Sequence, residues 1–146
     1  MKKFTASTTT TSGSMKVEAT ARDFKIVFDE PASVGGTDAG MNPPEGLLCA
    51  LGACQTIVAR MFAKAQGLSF EELRIDLEAE LDPRGFRGEE GIRTGLQEIR
   101  STMHFKSDES PERLQAFAEF IEKTCPVGET LAHGTKVVLN PVEIEK

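Results

Sequence analysis

Three cysteines carry most of the chemistry open to this chain. Cys49, Cys54 and Cys125 stand among 146 residues that include no Trp, no Tyr and only two histidines, His104 and His133. Bond-making therefore falls to thiols, carboxylates and guanidinium groups. A thiol attacks only as its thiolate, and a sulfur oxidised to a sulfenic acid condenses readily with a second thiol. An odd cysteine count with no CxxC pair does not make a secreted disulfide framework, and the leading MKKFTASTTTTSGS lacks the apolar stretch of a secretory signal. The expectation is a reducing cytoplasm with free or transiently oxidised thiols. The two His and three Cys show no metal-ligand spacing, so neither a metal nor another cofactor is expected.

Helix signals place the thiols. Asn42 can cap, Pro43 suits a first helical position and Glu45 completes a capping box. Leu47, Leu48, Leu51, Cys54, Val58 and Met61 then recur at helical spacing up to a stop near Gly67. Cys54 lies on that apolar stripe. Cys49 lies roughly 140° around the helix from it and reads as a bystander. A second helix starts at Ser110-Pro111, and its stripe of Leu114, Phe117, Ala118 and Ile121 leads to Cys125, where Pro126 interrupts it. A short helical turn from Pro126 to Ala132, stopped by Gly134, would put Cys125 at an amino end, which favours an acidic thiol. Cys54 sits about three turns into its helix, beyond the reach of that field, and needs a cation: Arg22, Arg60, Arg84, Arg87 and Arg93 are the candidates. If both stripes face one core, the two thiols meet from two helices. Packing is the alternative, since free Cys is among the most buried residue types.

The elements that must position them read as an α+β domain of one unit, residues 1–146, in the order βββ-α-ββ-α-β. Phe4 to Thr11, Met15 to Thr20 and Phe24 to Phe28 are strands. Leu73 to Leu81 alternates apolar with charged residues, Leu96 to Lys106 does likewise, and Lys136 to Leu139 is the final strand. Pro83 to Gly95 reads as a connection. His104, His133, Asp38 and the acidic run Glu71 to Asp82 fit solvated faces and turns. A net charge of -6 without clustered Lys and Arg argues against nucleic acid. No apolar run approaches the ~20 residues of a membrane span.

Two segments carry a resemblance. GMNPPEGLLCALGACQTIVARMFA from Gly40 and KTCPVGETL from Lys123, with the lead-in ARDFKIVFDEPASVGGTDAG, are similar to the signature segments of the OsmC/Ohr family of organic hydroperoxide-handling proteins. The resemblance implies antiparallel sheets packed on a long central helix, and an intertwined homodimer with active sites at the subunit interface. It implies a thiol peroxidase in which Cys54 attacks the organic hydroperoxide and Cys125 closes a disulfide. A dithiol such as a lipoylated protein, or a thioredoxin-type reductant, would reopen that disulfide. The family's supporting residues are an early-strand Arg, for which Arg22 leads, and a Glu ten residues before the cysteine. Pro44 holds that position here, and Glu45 follows one residue later. Two other readings stand beside the peroxidase: a non-catalytic OsmC-like stress or small-ligand-binding protein, and a structural domain with inert buried thiols.

Overall fold

Alternation and turn residues set the first three strands. In the computed structural model, which describes residues 1–145, they are β1 (Ser7–Thr10), β2 (Val17–Ala21) and β3 (Phe24–Phe28). A short 3-10 turn (Ala32–Val34) follows, then α1 (Pro43–Phe62), β4 (Glu72–Leu81), α2 (Pro83–Phe86), β5 (Leu96–Lys106), α3 (Pro111–Thr124) and α4 (Pro126–His133). The class is α+β, as the sequence pattern implies. Contacts divide the chain into two compact units, Met1–Ala50 with Leu77–Ser101, and Leu51–Asp76 with Thr102–Lys146.

In the first unit β1, β2 and β3 form an antiparallel meander, with Thr10 opposite Val17 and Val17 opposite Phe28. Directly opposed residues share a face, so Val17, Ala19 and Ala21 lie beside Phe28, Ile26 and Phe24. Phe28 packs on α1 at Gly46, where a Cβ would fall 2.3 Å from its ring. At the other end of that face Phe24 and Ile26 are 64% and 53% exposed. The loop after β3 closes on one carboxylate. Asp29, 2% exposed, accepts from the N–H groups of Glu30, Thr37 and Ala39 and from the Thr37 hydroxyl, while its own N–H donates to Met41 O. These donors, the Thr37 hydroxyl first, hold its pKa down to about 2 against the opposing effect of burial. The closed loop delivers the chain to Asn42, whose side chain accepts from Glu45 N–H while Glu45 accepts from Asn42 N–H, the expected capping box.

The second unit holds the aromatic core. Val58 and Ala59 of α1 pack with Phe70, Phe117 and Ile121. Phe117 stacks on Phe120, and Phe62 meets Phe120 edge-on with ring centres 5.4 Å apart. Arg60 clamps the end of α1: its guanidinium donates to Phe70 O and Glu71 O and lies 4.0 Å over the Phe70 ring. In β4 and β5, Leu73, Ile75, Met103 and Phe105 are half-buried while Arg74, Asp76 and His104 are exposed, as the alternation implies. His104 pairs with Asp76 at 3.0 Å across the two strands.

Three expectations need correction. Residues 134–145 contain no strand, and Val137 and Leu139 are 95% and 91% exposed. A strand exists only in a ladder, and Lys136 to Leu139, with no adjacent strand, has none to join. The connection after β4 begins with the short helix α2, because Asp82 caps it by accepting from Arg84 N–H and Pro83 follows at its first position. Finally, α1 at 20 residues is long and apolar enough to cross a membrane by length and composition. One side of it, Leu51, Gly52, Gln55, Val58 and Ala59, is buried within the protein.

Two measurements test this account. Phe117→Ala empties the centre of the core and is expected to cost about 3–5 kcal/mol in denaturant unfolding. Asp29 ionises more easily folded than unfolded, so its stabilisation is complete above pH 3.8 and is lost as pH falls towards about 2. Asp29→Asn should therefore lower stability at neutral pH and flatten the acid limb of the stability curve in that window.

Candidate active site

The Cys125-Pro126 junction is built by backbone rules. A residue before proline is pushed out of helical geometry, and Cys125 is extended at φ -72, ψ 114. It ends α3 by donating its N–H to Ile121 O, and it starts α4 by accepting from Glu129 N–H at its carbonyl. Its sulfur is the side-chain cap of α4, accepting from Gly128 N–H at 3.3 Å. The residue is fully buried. Leu51 of α1 closes over this turn, its Cδ1 standing 3.6 Å from where a Cβ on Gly128 would lie.

The structure brings Cys54 and Cys125 together. Burial pushes the Cys125 thiol above its ordinary value of 9.0, and the neighbouring Cys54 sulfur pushes it further, against the Gly128 and Val127 N–H groups, which favour the thiolate. The expected acidic thiol is thus corrected. The amino end of α4 does meet the sulfur, but two amide donors do not offset the loss of water around it. Cys54 is half-buried, and Cys49, on another face of α1, is exposed, as its angular offset implies.

The family comparison falls on the same residues. The OsmC-like protein family matches residues 36–140. The chain belongs to the OsmC-like family. It is 28% identical over 122 residues to a hydroperoxide reductase of Mycoplasma genitalium, covering 82% of this chain and 79% of that protein. A hydroperoxide reductase of Mycoplasma pneumoniae is 27% identical, with coverage of 84% and 82%. Among solved structures, an OsmC-like protein from Mycoplasma pneumoniae superposes with a TM-score of 0.78 at 25% identity, covering 90% of this chain and 88% of that one.

The other candidate residues of this OsmC-like chain lie in the first unit. Glu45 is engaged in the capping box with Asn42, and at nine residues before Cys54 it projects from about the opposite side of α1. Arg22 forms the turn between β2 and β3 at φ 55, a left-handed conformation unusual for a residue with a side chain, and its guanidinium lies 4.8 Å over the Phe24 ring. Arg84 is held by Asp82. In the unit that holds the thiols, the three arginines are engaged elsewhere: Arg60 with the Phe70 and Glu71 carbonyls, Arg74 with Asp76, and Arg113 with Glu109 and Gly67 O. The sequence reasoning missed Gln55. It is 3% exposed, and its signal is a polar residue in line with Leu51 and Val58 on the buried stripe of α1.

Burial and ionisation set Cys125 apart from the other two thiols. A small alkylating reagent at neutral pH is expected to label Cys125 last, after both Cys49 and Cys54, with Cys125 gaining reactivity only above pH 9.0 or on unfolding. Peptide mass mapping over time reads the order, and early labelling of Cys125 would contradict its burial.

Proposed function

We propose that this chain is a cysteine-dependent peroxidase that reduces organic hydroperoxides. The observation that carries the reading is the meeting of Cys54 from α1 with the buried Cys125 at the head of α4. The hydroperoxide reductases among its relatives support it. The Cys54 thiolate attacks the terminal oxygen of R–O–O–H, and the O–O bond breaks. The sulfur becomes a sulfenic acid, and the alkoxide leaves as alcohol with the proton given up by the thiol. Cys125 then attacks the Cys54 sulfur, water leaves, and a disulfide remains. A neutral Cys125 suits the second role, because it does not compete for peroxide while Cys54 is reduced. A dithiol such as a lipoylated protein, or a thioredoxin-type reductant, returns both thiols in a reducing cytoplasm.

In this reading the chain is one domain acting as a homodimer. Phe24 and Ile26 on the meander, Ile57 and Met61 on α1, and Val137 and Leu139 near the carboxyl end all leave apolar surface for a second copy to cover. The family resemblance gives Arg22 the role of the activating cation, and its left-handed backbone at φ 55 fits a residue kept for its charge. A second reading, a non-catalytic small-ligand-binding protein, is favoured by one observation: Glu45 is occupied as a helix cap.

The two readings part on oxidation. One equivalent of cumene hydroperoxide added to the reduced protein should remove two hydrogens by intact mass, and Cys54→Ser or Cys125→Ser should each abolish that loss. An unchanged wild-type mass would favour the binding protein. Arg22→Gly relaxes the left-handed turn but loses the stacking on Phe24, so stability should change by less than about 1 kcal/mol. The rate of peroxide reduction should fall at least about tenfold, as expected when a charge on the reacting centre is removed.

A further inference from the structure

Gln55, the residue after Cys54, is buried without a complete set of partners. It is 3% exposed, and its Oε1 has no hydrogen-bond donor among the described residues. Such an oxygen destabilises the fold unless a molecule from outside the chain supplies the donor. Helix geometry says where it lies. Gln55 follows Cys54, about 100° around α1, and stands one turn after Leu51 on the buried face. Helical side chains lean towards the amino end, so the Gln55 side chain covers the turn that holds Leu51. Leu51 in turn packs at Gly128, whose N–H holds the Cys125 sulfur. Gln55 thus adjoins Cys54 in the helix and follows by one turn the leucine that packs where the Cys125 sulfur is held.

We propose that Gln55 Oε1 accepts the O–H of the incoming hydroperoxide, a role that rests on the peroxidase reading above. The hydrogen on the terminal oxygen of R–O–O–H is not transferred in the attack. It is the peroxide O–H beforehand and the Cys54 sulfenic O–H afterwards, while the O–O electron pair leaves on RO⁻ and takes up the proton released by the Cys54 thiol. One acceptor holds the same hydrogen throughout and keeps the RO group turned away from sulfur as the leaving group. A neutral amide suits this place because, unlike a carboxylate, it neither repels the thiolate nor takes the proton. When the sulfenic acid condenses with Cys125 and water departs, the acceptor is vacant for the next turnover. The same oxygen selects the substrate class. Hydroperoxides bring the donor it lacks, whereas dialkyl peroxides and disulfides leave it unpaired.

The test compares two reagents for one thiolate. Rapid-quench intact mass gives the rate of Cys54 with cumene hydroperoxide and with methyl methanethiosulfonate, which carries no O–H, in the full-length wild type and in Gln55→Met, a change of similar volume. The hydroperoxide rate is expected to fall about ten- to a hundredfold, with the thiosulfonate rate kept within about twofold, so the ratio of the two moves. Gln55→Leu is read by the same ratio should the Met variant not fold. A wild type that oxidises alongside a variant with an unchanged ratio, or with both rates reduced equally, overturns the Gln55 role and leaves the peroxidase reading standing. A wild type that does not lose two hydrogens overturns both.

Discussion

At Cys125 every polar atom is committed. The N–H closes the last turn of α3 on Ile121, the carbonyl opens α4 by accepting from Glu129, and the sulfur caps α4 at Gly128. Pro126 enforces this arrangement by excluding helical geometry from the residue before it. One residue therefore sets the angle between two helices and the position of a thiol. Leu51 of α1 packs on that junction at Gly128. Because the sulfur is also a cap, its chemistry and the local fold are inseparable.

The same junction shows how magnitudes decide between opposing effects. A helix amino end stabilises an anion by roughly 0.3–1 kcal/mol, up to about 2 in partly buried geometry. Removing water from a thiolate costs more wherever the surroundings are dry, and here the residue is fully buried, Leu51 packs on the turn that holds the sulfur, and a second sulfur is its neighbour. The balance leaves Cys125 neutral despite two amide donors. Cys54, on the half-buried side of α1, is more open to solvent. The two neighbouring thiols therefore differ in solvation, Cys125 dry and Cys54 partly open.

Local signals in the sequence were enough for much of this. β3 at Phe24–Phe28, β5 at Leu96–Lys106 and the start of α3 at Ser110-Pro111 coincide with the alternation and capping patterns, because such patterns encode burial and backbone bonding within a few residues. One thiol within a helical stripe and another at the end of a second were legible, and their approach followed only on the condition that both stripes face one core. What escaped depends on distant parts of the chain. Lys136 to Leu139 has the composition of a strand, but pairing needs a neighbour that the residues themselves do not name. The acidity expected of Cys125 came from its own helix, whereas Leu51, some seventy positions away, helps to keep it dry.

Asp29 and Gln55 are both almost fully buried and polar, yet they are opposites in bonding. Asp29 has four donors around its carboxylate and fixes the loop that leads to the start of α1. It needs nothing further, so its burial is accounted for by the fold alone. Gln55 lies on a stripe where an apolar residue would pack without penalty, and its carbonyl oxygen has no donor. A polar group that breaks the local pattern and receives nothing from the fold in return marks a place where stability has yielded to another demand. It stands directly after Cys54, on the helix that brings this thiol to Cys125, and the role proposed for its oxygen rests on that placement.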